Sequence, residues 1–101
     1  MKEIEEINFK EEVKEGITLV DFYATWCGPC RMLHPVLEKL ASTRSEIDYK
    51  QIDVDNAPNI SKEYGVMSIP TLILFKDGKE ISKNVGYMTE EEITEWINKM
   101  I

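Results

Sequence analysis

Two cysteines separated by two residues, in Trp26-Cys27-Gly28-Pro29-Cys30, are the most chemically suggestive feature of this 101-residue chain, which contains no others. A two-residue gap lets both sulfurs meet on the first turn of a helix, so the pair can close a very small disulfide ring or open to a dithiol. The stretch lies where a strand-like run ending at Tyr23 meets a helical one. At a helix start, Cys27 faces unpaired backbone N–H groups and the positive end of the helix dipole, which favour thiolate over thiol; it is the candidate nucleophile. Cys30, one turn further in, is expected to be more buried and to attack a mixed disulfide on Cys27 as the resolving thiol. An inert structural disulfide and half of a zinc site are the alternatives. A structural zinc normally takes four ligands, and two Cys with one His fall short unless carboxylates or a second chain contribute. That one histidine, His34, follows Cys30 by four residues on the same helix face. A lone helical His is more often a surface or packing residue.

Asp21 is the second informative residue. It stands within Thr18-Leu19-Val20-Asp21-Phe22-Tyr23-Ala24, where a carboxylate is costly to bury and its pKa is expected to rise through desolvation. Six residues before Cys27, it is positioned to lie beneath the cysteine turn and to take the proton of Cys30, directly or through a water. An edge position facing solvent is the alternative. Ile69-Pro70-Thr71 opens another strand-like run, and Pro70 cannot donate to a ladder, so it belongs at a strand start, an edge or a special turn. Spacing alone does not choose between its cis and trans forms.

The elements that position these groups follow from hydrophobic period and turn residues. Residues 2–6 suggest a short strand. Asn8 with Glu11 suggests the cap of a short helix carrying Phe9 and Val13 and closed by Gly16. Residues 17–23 read as a central strand buried on both faces. Met32, Leu33, Val36, Leu37, Leu40 and Ala41 form an apolar stripe along one helix, kinked at Pro35. Residues 47–54 read as a strand, and residues 56–64 as a helix stopped by Gly65. Residues 69–75 and 80–85 pair as a hairpin across Lys76-Asp77-Gly78-Lys79. Thr89 with Glu92 caps a last helix whose apolar face holds Ile93, Trp96, Ile97, Met100 and Ile101. The order β-α-β-α-β-α-β-β-α specifies an α/β fold, a central mixed five-stranded sheet flanked by four helices, parallel in the middle with an antiparallel hairpin at one side.

Composition narrows the function. The length suits one domain over residues 1–101, and 43% apolar with 31% charged residues is ordinary for a globular chain. A net charge of −7, with no basic cluster, argues against nucleic acid. No apolar run is long enough to cross a bilayer, and the first residues lack the apolar core of a signal peptide, so a soluble cytoplasmic protein with no membrane partner is expected. A monomer is the default. Two cysteines are too few for a disulfide-stapled scaffold, which assigns them to chemistry rather than to structure.

Residues 20–30, Val-Asp-Phe-Tyr-Ala-Thr-Trp-Cys-Gly-Pro-Cys, resemble the active-site segment of the thioredoxin family. The resemblance extends over nearly the whole chain: Pro35 matches the helix-kinking proline, Ile69-Pro70-Thr71 the cis-proline loop, Lys76-Asp77-Gly78 the hairpin turn, and Val85-Gly86 the glycine that faces the active site. It implies the thioredoxin fold and a protein-disulfide reductase that needs no cofactor beyond the redox-active pair Cys27 and Cys30. Implied partners are disulfide-containing target proteins and a thioredoxin reductase. It also implies a flat surface of Trp26, Gly28, Pro29, Ile69, Pro70 and Gly86 that docks an extended target segment, with the backbone of Ile69 pairing without reading side chains. Three positions depart from the family pattern. Tyr23 replaces a common Trp; Gln51 replaces a Lys that neighbours the buried Asp, a loss expected to push Asp21 further up; and Met67-Ser68 replaces Arg-Gly on the rim.

Competing readings remain distinct in kind. A more oxidising isomerase-like or glutaredoxin-like enzyme is disfavoured by the Gly-Pro spacer. A non-catalytic binding module needs the same surface and not the thiols. A metal-binding domain needs ligands beyond those in the motif.

Overall fold

The computed structural model describes residues 1–101. It contains β1 (Lys2–Glu3), α1 (Phe9–Glu12), β2 (Ile17–Tyr23), α2 (Gly28–Thr43), β3 (Asp48–Asp53), α3 (Pro58–Glu63), β4 (Thr71–Lys76), β5 (Lys79–Val85) and α4 (Glu90–Met100). Single 3-10 turns, Glu6–Asn8 and Val54–Asn56, precede α1 and α3. The sheet order is β1-β3-β2-β4-β5. β1, β3 and β2 are mutually parallel, while β4 is antiparallel to both its neighbours, β2 and β5. This is the expected mixed five-stranded sheet with four helices. No helix is long and apolar enough to cross a membrane.

β2 takes the middle because its sequence tolerates nothing else: residues 18–22 are all buried, and the strand is paired on both sides. Its two faces feed two separate cores. On one face Leu19, Leu72 and Leu74 meet Leu33, Leu37 and Leu40 of α2 and Ile93, Trp96 and Ile97 of α4. On the other, Val20, Phe22, Ile73 and Phe75 meet Phe9 of α1 and Ile60 of α3. Alternation along a strand sends successive side chains to opposite faces, so one unbroken apolar run supplies both layers.

Several boundaries differ from the sequence reading for identifiable reasons. β1 covers only residues 2–3, because Asn8 turns its Oδ1 back to the N–H of Glu5 (3.0 Å) and starts a 3-10 turn there instead of capping α1. Met32 is exposed, so the buried stripe of α2 is Leu33, Leu37 and Leu40. Met100 and Ile101 are likewise exposed and leave the face of α4 to Ile93, Trp96 and Ile97. Pro35 lies inside α2, where its missing N–H leaves the Arg31 carbonyl without its helical partner. The capping box forms as expected: Thr89 Oγ1 accepts from the Glu92 N–H (3.2 Å) and Glu92 Oε1 accepts from the Thr89 N–H (2.9 Å).

The hairpin between β4 and β5 turns through Asp77 (φ 50°) and Gly78 (φ 88°), the two consecutive left-handed residues of a turn whose twist matches paired strands. Asp77 also ties this turn to the loop before β2. Its N–H donates to the Gly16 carbonyl and its Oδ1 accepts from the Gly16 N–H, both at 2.9 Å.

Leu37→Ala, at a fully buried position on α2, is expected to lose about 3 kcal/mol of unfolding free energy. Thr89→Ala, which removes only the cap, is expected to lose about 1 kcal/mol. Denaturant titration of the disulfide-bonded protein checks both.

Candidate active site

β2 ends at Tyr23 and α2 begins at Gly28, so the four intervening residues make a tight corner at the end of the sheet's middle strand. Within it the Cys27 N–H donates to the Ala24 carbonyl at 3.2 Å, and the Arg31 guanidinium reaches back to the Thr25 carbonyl at 3.0 Å. Pro29, in the first turn of α2, lacks the N–H that a helix start leaves unpaired anyway. Cys27 is the residue that caps this helix.

Cys27 and Cys30 are joined in a disulfide, with Cα atoms 5.2 Å apart. The Cys30 N–H donates to Cys27 Sγ at 3.2 Å. A donor aimed at that sulfur from the first helical turn, together with the helix dipole, is the kind of environment that favours a thiolate once the disulfide opens. In the disulfide form the expected difference in burial is negligible, at 5% and 4% exposure respectively. What separates the sulfurs is surroundings: Cys30, and not Cys27, lines a cavity of about 130 Å³ beneath the corner.

Asp21 lines the same cavity with Tyr23, Arg31, His34 and Gln51. It is 1% exposed, and its Oδ1 has no hydrogen-bond partner within the protein. Burial pushes its carboxyl up from the ordinary 3.8 to about 7, and the nearby charge of Glu3 adds to the rise. A cavity of this size is roomy enough for water to bridge Asp21 and the Cys30 side. The edge position facing solvent does not occur. His34, half-exposed, lies 3.4 Å from Glu38 Oε1, one turn along α2.

Gln51 is the direct cross-strand partner of Asp21, as the family comparison implied. Its amide, however, donates to Glu3 Oε1 at 2.7 Å, and the Tyr23 hydroxyl donates to that same oxygen at 2.7 Å. Glu3 escaped the sequence reading because it sits in a charged N-terminal stretch; only the β1–β3 register brings it beside Gln51.

Around the disulfide, Trp26 is 67% exposed, and its indole N–H donates to Asp55 Oδ2 at 2.9 Å. Asp55, in the 3-10 turn after β3, was also missed; it lies 29 residues from Trp26 with no local signal linking them. Ile69 packs against the cluster of Ala24, Cys27 and Cys30. Its peptide bond to Pro70 is cis, and Pro70 is buried. The Ile69 main chain makes no hydrogen bond within the protein. Gly86 donates its N–H to the Pro70 carbonyl at 2.8 Å. Its φ of +98° disfavours any other residue, although a Cβ there would meet nothing within 4 Å. Met67, at 95% exposure, marks the rim. No group of three or more His, Cys, Asp or Glu side chains gathers in a way that could hold a metal ion.

The family model for thioredoxin matches residues 1–99. A thioredoxin of Listeria monocytogenes is 47% identical over 102 residues, covering 100% of this chain and 99% of that protein. A thioredoxin of Staphylococcus aureus is 46% identical over 97 residues, 95% and 93% of the two chains. One of Chlamydia trachomatis is 46% identical over 92 residues, 91% and 90%. A chain from a solved structure concerned with the thiol resolving mechanism of a yeast mitochondrial 1-Cys peroxiredoxin via glutathione/thioredoxin systems superposes with a TM-score of 0.89. It is 34% identical and covers 98% of this chain and 94% of its own. A redox pair on a helix start, a sheet of this topology and relatives at nearly half identity agree: the protein belongs to the thioredoxin family and is a thiol-disulfide oxidoreductase that works by dithiol–disulfide exchange.

Proposed function

We propose that the protein reduces disulfides in other proteins, with Cys27 as nucleophile, Cys30 as resolving thiol and Asp21 as acceptor of the Cys30 proton. The observation that carries the division of labour is the asymmetry of the pair: Cys27 Sγ receives a backbone N–H, while Cys30 shares a cavity with a buried, unpartnered carboxyl. The Cys27 thiolate attacks one sulfur of a target disulfide, forming a Cys27–target bond and expelling the other target sulfur as a thiolate. Cys30 then gives its proton to Asp21 and attacks Cys27 Sγ. The Cys27–Cys30 disulfide forms, and the second target thiolate leaves. Two electrons have passed to the target, whose thiolates take up two protons.

Docking is assigned to Trp26, Gly28, Pro29, Ile69, Pro70 and Gly86. The unpaired Ile69 main chain offers an N–H and a carbonyl to an extended target segment, which would add to it as a strand does. Such pairing reads backbone, so targets of diverse sequence fit. Pro70, being buried, shapes this loop from beneath while Trp26 and Ile69 flank the disulfide. The protein works as a single-domain monomer in the cytoplasm, with no dissociable cofactor, and a thioredoxin-reductase-type partner returns the disulfide to the dithiol.

Dithiothreitol-reduced protein is expected to cleave insulin disulfides; Cys27→Ser should abolish this, and Cys30→Ser should accumulate as a covalent mixed disulfide. Activity that survives in Cys27→Ser ends the assignment, and full biological function in a double Cys→Ser variant would point to the binding-module reading instead.

Asp21 yields a second pair of expectations. It accepts a proton only when ionised, so the resolving step should accelerate as pH rises through about 7, and Asp21→Asn should slow it and flatten that limb. Stability moves the other way. With the folded-state pKa above the unfolded value, the native state holds the extra proton, and stability falls as pH rises from 3.8 to about 7. Above that window the buried charge costs the native state on the order of 4 kcal/mol. Asp21→Asn should therefore unfold at higher denaturant than wild type at pH 8 and show little gain at pH 4.

A further inference from the structure

Glu3, Gln51 and Asp21 form one transverse row across the three parallel strands: Glu3 pairs with Gln51 in the β1–β3 ladder, and Asp21 pairs with Gln51 in the β2–β3 ladder. Directly paired residues project to the same face of a sheet, and Tyr23, two residues beyond Asp21, shares that face. Gln51 and Tyr23 both line the Asp21 cavity. They are the uncharged donors nearest to the buried carboxyl by register, yet both donate to Glu3 Oε1, each at 2.7 Å. Asp21 Oδ1 is left with no partner.

We propose that Glu3 is a positioning residue for the exchange reaction: it draws the Tyr23 hydroxyl and the Gln51 amide onto its own carboxylate, withholds both from Asp21, and by its negative charge sets the pH range in which Asp21 takes the Cys30 proton. The inference rests on the proton-acceptor role of Asp21 argued above.

Other charged or titratable groups face Asp21 from each packed element. α2 supplies Cys30, Arg31 and His34 along the cavity wall. β2 supplies Tyr23 itself, whose hydroxyl burial and the Glu3 hydrogen bond push up. β3 supplies Asp53, close enough to Tyr23 to act on it. β4 offers only Leu72 at the paired position. Arg31 spends one guanidinium nitrogen on the Thr25 carbonyl. Glu3, on the edge strand, is the anion that acts directly on Asp21, and its effect has the same sign as desolvation. The two backbones lie two strand spacings apart, roughly 10 Å, and the burial of Asp21 protects the coupling from much of the screening that salt exerts on exposed charges.

The test uses the full chain and two variants. Glu3→Gln keeps an oxygen that accepts from Tyr23 and Gln51 and removes only the charge; Glu3→Ala removes the acceptor as well and frees both donors to turn toward Asp21. The Asp21 carboxyl carbon is followed by NMR in the disulfide-bonded protein against pH, and insulin-reduction turnover is followed over the same range. Glu3→Gln is expected to move the Asp21 midpoint down by roughly half a pH unit or more, with the turnover limb moving by the same amount. Glu3→Ala is expected to move it further. In an Asp21→Asn background, Glu3→Gln should leave the turnover profile unchanged. An Asp21 midpoint that stays at its wild-type value in both variants overturns the inference while leaving the role of Asp21 intact. Midpoints that move while Asp21→Asn turns over as fast as wild type overturn the proton-acceptor role, and with it the catalytic meaning of Glu3.

Discussion

A carboxyl group buried on an apolar sheet has to surrender much of its affinity for charge, and the disulfide end of this protein is built around that constraint. Asp21 occupies the strand with the fewest alternatives, β2, paired on both sides and covered on both faces. Placing the acid there is unfavourable for folding at alkaline pH; in the proposed reaction it is useful, because a group that changes protonation near neutrality can hold a proton for one step and release it in the next. The same strand then delivers the chain, across four intervening residues, to a helix start with the opposite electrostatic character. One end of β2 thus joins an environment that suppresses negative charge to one that supports it, and the proposed reaction divides the two sulfurs between them.

Much of this was legible in the sequence because the signals were local. The unbroken run of β2, the two-residue gap between the cysteines, the Asp77-Gly78 turn and the Thr89–Glu92 box each encode their conformation within a few residues. The errors fell where a local signal had two outlets. Asn8 can cap forward or fold back on Glu5, and it folds back. Met32, Met100 and Ile101 continue a helical apolar period, but no neighbouring element reaches them, and they stay exposed. The site residues that escaped notice, Glu3 and Asp55, are ordinary acids whose importance comes from strand register and from a turn 29 residues from Trp26. Periodicity carries no information of that kind.

The departures at Tyr23 and Gln51 turn out to be one feature. The sequence reading treated them separately, as an altered aromatic and a lost cation; in the structure both donate to a single oxygen of Glu3. Replacing a neighbouring cation by a neutral amide removes a favourable partner for the Asp21 charge, and gathering that amide onto an anion reinforces the change. Substitutions at contacting positions are energetically coupled, so neither residue's contribution is separable from the third.

The two outer strands have a bearing on how such a protein coexists with others. An open sheet edge is a row of unpaired backbone groups that any extended chain can extend. Here one border is a strand of only two residues, Lys2 and Glu3, and the other, β5, carries Lys79, Glu80, Ser82, Lys83 and Asn84. Both borders are poor templates for accidental pairing, whereas the loop at Ile69 leaves a short stretch of main chain unclaimed beside the disulfide. If that loop docks targets as proposed, stickiness toward backbone is confined to a patch too short to nucleate a sheet, where a segment that adheres is also presented to Cys27.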